Sequence, residues 1–212
     1  MTARRPRKII VQVATSADGY IARSDGDVDW LNRPRTSGDY GMREFYSSID
    51  TILWGRKTYE MALAFQQQGI PGAGFDPKVK NYVFSRRPPK EAPPEVEFVT
   101  ESIPAFAKRL RATPGRNIWM MGGATLIGAF LDAGEIDEFI IHAIPTYIGE
   151  GIPLIAPRRR TVDLDLISSQ SFPDGVVQLH YAVARPGGDA GPKVFRPAKP
   201  KTKRRKTPPK RQ

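Results

Sequence analysis

In two segments of the sequence an apolar run ends at glycine and is followed by the predicted start of a helix. The two segments read ILWGRKT at 52–58 and WMMGGAT at 119–125. In each segment we predict a strand that ends at glycine and is followed directly by the first turn of a helix. Such a turn presents unpaired N–H groups and the positive end of the helix dipole, so both segments suit phosphate oxygens. In the first segment, Arg56 and Lys57 add two positive charges and Thr58 adds a hydroxyl.

A third candidate for phosphate binding follows the apolar run 81–84. Ser85, Arg86 and Arg87 supply a hydroxyl and two guanidinium groups, and a guanidinium group binds a terminal phosphate through two hydrogen bonds. Taken alone, each of the three segments also fits a tight turn, a solvated helix start or an exposed loop. Together, at the carboxyl ends of strands, they predict a site for a dinucleotide with several phosphates. The GxGxxG pattern of a standard Rossmann site is absent from the sequence.

The candidate reaction site is the loop that follows the first apolar run. This loop reads ATSADGYIA at 14–22 and continues through an Asp- and Gly-rich stretch to Trp30. Asp18 is our candidate for binding a hydrogen-bond donor of a substrate or for relaying a proton. Its alternative role is to form an Asp-Gly turn with Gly19. Trp30 either forms the wall of a pocket or holds the loop against the core.

The composition excludes several kinds of site. The sequence contains no cysteine, so a disulfide framework, a thiolate zinc site, an iron–sulfur cluster and a cysteine nucleophile are excluded. The two histidines, His142 and His180, cannot form a three-histidine metal site, and we interpret both as structural. Asp25, Asp27 and Asp29 alternate like calcium ligands, but no glutamate stands at the twelfth position of that loop. We therefore predict no metal site.

The net charge of +11 is concentrated at the two ends of the chain. Residues 186–212 are rich in Pro, Gly, Lys and Arg, a composition typical of disorder. We interpret this segment as a disordered tail that increases solubility or makes weak contact with polyanions. Residues 1–8 form a basic N-terminal extension in this interpretation, and residues 9–185 form the single folded domain.

The hydrophobic pattern of the domain alternates between short β-branched runs and longer amphipathic runs, which predicts an α/β fold. We predict strands at 9–14, 51–54, 81–84, 96–99, 117–121 and 139–144, and helices at 39–49, 57–65, 103–110 and 123–134. The last two apolar runs, 162–172 and 176–185, are separated by Pro-Asp-Gly, which predicts a hairpin. The sheet should therefore begin parallel and end with an antiparallel hairpin. No apolar run is long enough for a membrane helix and no signal-peptide pattern begins the sequence, so we expect a cytoplasmic protein.

Four segments of the sequence, in a fixed order, resemble the dihydrofolate-reductase-like superfamily. They are ATSADGYIA, ILWGRKTYE, NYVFSRR and MMGGATLIGAFLDAGEIDEFIIHAIPTYIGEGIPLI. The resemblance is strongest to the reductase domain in the C-terminal half of the bifunctional riboflavin-biosynthesis deaminase-reductase, and it spans 9–184. It implies a three-layer fold with a mixed, mostly parallel sheet between helices. It also implies an NADPH cofactor, hydride transfer to a C=N or C=O bond of a small heterocyclic or sugar-like substrate, and a homodimer.

The resemblance also assigns roles to individual residues. It implies that the pyrophosphate and the 2′-phosphate of NADPH are bound by Gly55, Arg56, Lys57 and Thr58, with Ser85, Arg86 and Arg87 at the edge of the 2′-phosphate pocket. It implies that the pyrophosphate also lies under the diglycine loop and helix start formed by Gly122, Gly123, Ala124 and Thr125. It implies that Ala14 and Thr15 touch the nicotinamide through their backbone, and that Asp18, Gly19 and Trp30 contact the substrate.

The sequence departs from dihydrofolate reductases after Trp30. In those enzymes an acidic residue that binds the pterin follows the tryptophan of the first loop, whereas this chain has Asn32, Arg33, Pro34 and Arg35. Folate reduction is therefore the less favoured alternative. No histidine- and cysteine-containing deaminase motif precedes the reductase-like segment, so we expect a stand-alone reductase of ribosylaminopyrimidine type. A non-catalytic nucleotide-binding protein, held on nucleic acid by the basic tail, is the alternative from another class.

Overall fold

A computed structural model describes residues 7–34, 38–69, 76, 78–91 and 93–185. The predicted tail at 186–212 lies outside the described residues. The strands are β1 (Ile9–Ser16), β2 (Tyr20–Ala22), β3 (Ile49–Gly55), β4 (Lys80–Phe84), β5 (Val96–Val99), β6 (Asn117–Gly122), β7 (Glu138–Ile144), β8 (Ile152–Pro153), β9 (Leu164–Ser171) and β10 (Val177–Val183). The helices are α1 (Met42–Ser47), α2 (Arg56–Gln67), α3 (Ile103–Ala112) and α4 (Ala124–Asp132), with a 3-10 turn at Asp29–Leu31.

Eight strands form the central sheet in the order β5-β4-β3-β6-β1-β7-β10-β9. The first six strands in this order are parallel to one another. Strand β10 is antiparallel to both of its neighbours, β7 and β9. The sequence prediction of a parallel sheet that ends in an antiparallel hairpin is confirmed. The short strands β2 and β8 pair separately, and the sequence pattern did not predict them.

Helices cover both faces of the sheet, because its central strands present apolar side chains on both sides. On one face, Phe106 of α3 and Phe130 of α4 pack against Val11 of β1 in one core cluster. On the other face, Phe45 of α1 and Tyr59 of α2 belong to a second cluster. The predicted three-layer α/β fold is confirmed.

The first helix is shorter than predicted at both ends. The predicted helix 39–49 is reduced to α1, since Ile49 already pairs with Asn117 as the first residue of β3. Asp39 remains a cap of the turn before the helix, because its carboxylate accepts the N–H groups of Gly41 and Arg43, both at 3.1 Å. The burial of Ile49 in the sheet outweighs the local helical pattern.

Arg7 and Lys8, which the sequence analysis placed in the basic extension, are bound to the domain. The Arg7 side chain is 5% exposed and forms an ion pair with Asp50. Its guanidinium group also donates to the Thr51 hydroxyl at 2.7 Å and to the Arg116 carbonyl at 2.7 Å. Lys8 forms an ion pair with Glu138. The start of β1 is therefore joined to the starts of β3 and β6.

The edge strand β9 is poorly covered. Leu164, Leu166 and Ile167 expose 41%, 37% and 51% of their surface. Leu164 and Leu166 lie opposite Val183 and Tyr181 of β10, so these side chains share the α3 and α4 face of the sheet. Among the described residues, no helix is long and apolar enough to cross a membrane.

Replacing Arg7 by alanine should lower the free energy of unfolding by about 3 kcal/mol, because Asp50 and several buried acceptors then lose their donor. Chemical denaturation of both proteins measures the difference. Lys108→Ala, on the exposed side of α3, serves as the control and should change stability by less than about 0.5 kcal/mol. Equal stability of the Arg7 variant and the parent protein would contradict the assignment.

Candidate active site

The structure brings the four predicted segments together at one edge of the sheet. The neighbouring strands β4, β3, β6 and β1 are parallel, so their carboxyl ends lie side by side. Residues 85–87 follow β4, residues 55–58 span the end of β3, residues 122–125 span the end of β6, and residues 14–19 span the end of β1. One ligand can therefore contact all four segments.

The two glycine junctions are in direct contact. A Cβ atom on Gly55 would lie 3.2 Å from the Gly122 carbonyl oxygen and 3.2 Å from the Gly123 nitrogen. A Cβ atom on Gly123 would lie 3.1 Å from the Thr58 hydroxyl oxygen. Gly122 has φ of +110°, a conformation that L side chains rarely adopt. The Gly122–Gly123 peptide bond is cis. These contacts explain why the sequence places glycine at all three positions.

Both junctions leave helix N–H groups available. Helix α2 begins after Gly55 and helix α4 after Gly123, and neither helix has a side-chain cap or an acidic residue in its first turn. The first N–H groups of an uncapped helix have no intrahelical partner and carry the positive end of the dipole. The two adjacent helix starts thus form one electropositive surface.

Arginine and lysine side chains surround this surface. Arg56 and Lys57 are exposed at the start of α2, and Arg56 forms an exposed ion pair with Glu60 at 2.7 Å. Ser85 is buried, and its hydroxyl oxygen accepts the N–H of Arg87 at 3.2 Å. This bond fixes the turn after β4. Arg86 and Arg87 extend into solvent from that turn.

The end of β1 offers backbone groups to the same surface. Pairing between β1 and β6 ends at Val11, and the Gln12 carbonyl accepts the indole N–H of Trp119 at 2.9 Å. Because backbone groups alternate along a strand, those of Ala14 point to the same side as those of Gln12. Thr15 is buried, and its position in β1 pairs with β7. Ala14 thus lies beside the diglycine junction.

Asp18 is held by hydrogen bonds to another loop. Its carboxylate accepts the N–H of Gly149 at 2.8 Å and the N–H of Ile148 at 3.2 Å. The hydroxyl of Ser16 and these backbone N–H groups hold the pKa of Asp18 below its ordinary value. Gly19 completes the turn with φ of +87°. Asp18 is therefore ionised at neutral pH and fastens the first loop to residues 148–149, while its predicted role at the substrate stays a prediction.

Trp30 packs into the core under the first loop. It is 8% exposed and lies in a cluster with Ile144 and Val176. Within the described part of the chain, its indole N–H has no hydrogen-bond partner. The structure thus favours the interpretation that Trp30 holds the loop against the core, and its contact with a substrate stays a prediction.

A second anchor, which the sequence pattern did not predict, holds residues that follow the first loop. Asp174, in the turn of the predicted hairpin, binds the hydroxyl of Tyr40 through its carboxylate. The Asp174 carbonyl accepts the guanidinium group of Arg33 at 2.7 Å. Arg33 follows the 3-10 turn and Tyr40 precedes α1, so Asp174 binds both of these positions to the β9–β10 turn. A Pro-Asp-Gly pattern predicts the turn but carries no signal for these distant partners.

The two histidines are bound to protein groups. His142 Nε2 lies 3.2 Å from the Tyr40 carbonyl oxygen, and burial lowers the pKa of His142, so the ring is neutral. His180 Nε2 lies 3.0 Å from a carboxylate oxygen of Glu138. Over the part of the chain that the structure describes, no cluster of three or more potential ligands could hold a metal ion.

Replacing Asp18 by asparagine should speed hydrogen exchange at the backbone amides of Ile148 and Gly149, because the charged acceptor is lost. In the parent protein the same protection should be complete above about pH 4 and should disappear as the pH falls through the lowered pKa of Asp18. Amide exchange followed by NMR measures both effects. Asp25→Asn is the control, since Asp25 binds only a neighbouring N–H and should leave both amides unchanged.

Comparisons with known proteins place the chain in a family and a fold group. Residues 7–178 match the family described as the RibD C-terminal domain. An uncharacterized protein of Bacillus subtilis, YwjB, is 39% identical over 178 residues, which cover 84% of this chain and 99% of YwjB. The solved structure of a Shewanella sp. PV-4 protein named for riboflavin biosynthesis has a TM-score of 0.73 at 28% identity, over 84% of this chain and 99% of that one.

A bifunctional protein shares the fold at lower identity. The diaminohydroxyphosphoribosylaminopyrimidine deaminase/5-amino-6-(5-phosphoribosylamino)uracil reductase of Thermotoga maritima has a TM-score of 0.62 at 16% identity, over 85% of this chain and 57% of that one. This likeness concerns the fold alone. Together with the family match over most of the domain, it confirms the dihydrofolate-reductase-like resemblance, and the chain belongs to the RibD C-terminal domain family.

Proposed function

We propose that this protein is an NADPH-dependent reductase that transfers a hydride to a small heterocyclic or ribosylated substrate. The observation that carries the proposal is the contact between the two uncapped helix starts at Gly55 and Gly123. A pyrophosphate carries negative charge on several oxygens and needs close backbone approach, and this surface supplies N–H groups, two helix dipoles and glycines that add no side chains of their own.

The charges around the surface favour NADPH over NADH. A 2′-phosphate is bound best by guanidinium groups, and Arg56, Arg86 and Arg87 are exposed on the adjacent junctions after β3 and β4. Both side chains of the Arg56–Glu60 ion pair are exposed, so a phosphate can replace Glu60 as the partner of Arg56 at a small cost in free energy. The residues present therefore fit the pyrophosphate and the 2′-phosphate of NADPH.

The remaining residues position the reacting groups. The cofactor supplies the hydride, and the protein has to align the nicotinamide with the substrate and restrict water. In the proposed complex, the backbone of Ala14 contacts the nicotinamide, whereas that of Thr15 pairs with β7. The first loop, fixed by Asp18, closes the substrate side of the site together with the segment that Asp174 binds at Arg33 and Tyr40. Since Asp18 is ionised at neutral pH, we assign it to loop and substrate positioning, with the proton taken from solvent.

The substrate proposal rests on the family. The name of the Thermotoga maritima protein includes 5-amino-6-(5-phosphoribosylamino)uracil reductase, and we propose a substrate of this ribosylaminopyrimidine type. Folate reduction is less favoured, because Asn32, Arg33 and Pro34 follow the 3-10 turn where dihydrofolate reductases have a pterin-binding acid. The basic segment 186–212 is proposed to make only weak polyanion contacts.

Titration with NADPH and with NADH, followed by ligand fluorescence, tests the cofactor proposal. NADPH should bind more tightly than NADH, and the Arg56→Ala/Arg86→Ala variant should weaken NADPH binding about 100-fold or more, since each of the two lost charge-assisted hydrogen bonds contributes roughly 1.5–3 kcal/mol. NADH binding should change little, because NADH lacks the 2′-phosphate.

The matched control is Lys108→Ala/Arg159→Ala, which removes the same charge from exposed positions outside the four site segments. It should leave NADPH affinity unchanged. A parent protein that binds neither nucleotide would overturn the reductase proposal. Equal weakening by both double variants would show that binding follows net charge rather than this site.

We also propose that the protein forms a homodimer through β9. An edge strand with exposed leucine and isoleucine and a single charged residue, Asp165, is unprotected against pairing with another strand. Leu166→Lys should then convert a dimer into a monomer in light-scattering measurements. Gln67→Lys on α2 is the control and should leave the mass unchanged. A parent protein that is already monomeric at micromolar concentration would refute the dimer.

A further inference from the structure

A groove of about 520 Å³ runs along the α1 face of the sheet, outside the candidate active site. Its floor is formed by Ile10 of β1 and Ile140 of β7, and its volume is that of a site for a small molecule. Tyr40 and Phe172 stand at one end, with ring centroids 5.0 Å apart. The other end reaches Glu138, the first residue of β7, and so lies toward the amino ends of the strands.

Gln12 is a polar side chain that the fold buries without a strong partner. It is 5% exposed and lines the groove. Among the described residues, its carboxamide makes one hydrogen bond, from Nε2 to the thioether sulfur of Met42 at 2.9 Å. A thioether is a weak acceptor, so the amide N–H of Gln12 is poorly satisfied. The amide oxygen of Gln12 accepts no hydrogen bond from the described residues, so it is also available to a ligand. A buried amide of this kind is stabilised when a ligand supplies the missing hydrogen bonds.

Further polar groups line the groove beside Gln12. Gln178 of β10 and the exposed Gln170 of β9 lie opposite each other in the β9–β10 ladder. Gln178 Nε2 donates to the Tyr40 carbonyl at 3.3 Å and lies 2.9 Å from His142 Nε2, so Gln178 offers mainly its amide oxygen, whereas Gln170 offers a whole amide. Glu138 is 7% exposed and is held between Lys8 and His180. Side-chain amides bind the donor–acceptor edge of a nitrogen heterocycle, and a carboxylate and an imidazole bind hydroxyl groups.

The charge of the lining argues against an anionic ligand. Glu44 and Glu138 line the groove, and the described lining contains no lysine or arginine. Lys8, which lies beside the groove, is already paired with Glu138. A phosphate would therefore meet carboxylates without a compensating cation, whereas a neutral ring can lie on the isoleucine floor.

We propose that this groove binds a neutral nitrogen heterocycle bearing hydroxyl groups, of the class of an unphosphorylated nucleoside. The amides recognise the edge of the base, the apolar floor supports its face, and the Glu138–His180 pair takes the hydroxyl groups. The site is independent of the proposed reductase function, because its residues lie on a different part of the sheet.

Calorimetric titration with uridine and with adenosine, in the presence of saturating NADP⁺, tests the proposal. Bound NADP⁺ occupies the proposed cofactor site at the carboxyl ends of the strands, so the nucleosides cannot bind there. At least one nucleoside should bind saturably, and Gln170→Leu and Gln12→Leu should each weaken its binding by about 10-fold or more. Gln170 is exposed, so its variant keeps the test valid if Gln12→Leu fails to fold. Gln66→Leu on the exposed side of α2 is the matched control and should bind as the parent does.

Three results would overturn the proposal. They are the absence of saturable binding by either nucleoside, binding that Gln170→Leu leaves unchanged, and binding of the 5′-monophosphate as tight as that of the nucleoside. NADPH affinity, measured on the same variants, separates the two sites. Unchanged NADPH affinity together with lost nucleoside binding supports a distinct groove site, and a parallel loss of both shows that the nucleoside occupied the cofactor site.

Discussion

The close approach of the backbones at Gly55 and Gly122–Gly123 is the constraint on which the candidate site depends. Strands β3 and β6 are neighbours, so the chains that leave them must pass each other at about van der Waals distance. A side chain at either junction would separate the starts of α2 and α4. With glycine at these positions, two helix dipoles converge on one point, and the rest of the sheet serves to hold that convergence in place.

The loops beside this point are fixed by polar contacts rather than by apolar packing alone. Asp18 binds the first loop to residues 148–149, and Asp174 binds Arg33 and Tyr40, which follow that loop, to the hairpin turn. Both anchors are carboxylates that accept hydrogen bonds from groups distant in sequence. A site built this way keeps a defined shape while most of its loop residues stay at the surface, where a substrate can reach them.

The sequence predicted the parts of the fold that follow from local pattern. The parallel strands, the glycine junctions and the Pro-Asp-Gly hairpin each have a signal within a few residues, and parallel order at the sheet then places the junctions together. It could not predict the partners of Asp18, the Tyr40–Asp174 contact or the weakly bonded amide of Gln12. These contacts depend on which residues the strand register brings opposite each other. For the same reason, Ile49 belongs to β3, where it pairs with Asn117, rather than to the end of the predicted helix.

The places where the chain enters and leaves the described domain have a practical consequence. Arg7 precedes β1 at the amino edge of the sheet, and Arg185 follows β10, whose antiparallel direction returns the chain to that same edge, beside Asp137. A fusion partner or a solid support joined directly at Arg7 or Arg185 would therefore start on the side opposite the glycine junctions. Residues 7–185 are thus suited to immobilisation and to insertion between other domains, with the edge that carries the glycine junctions left open in both cases.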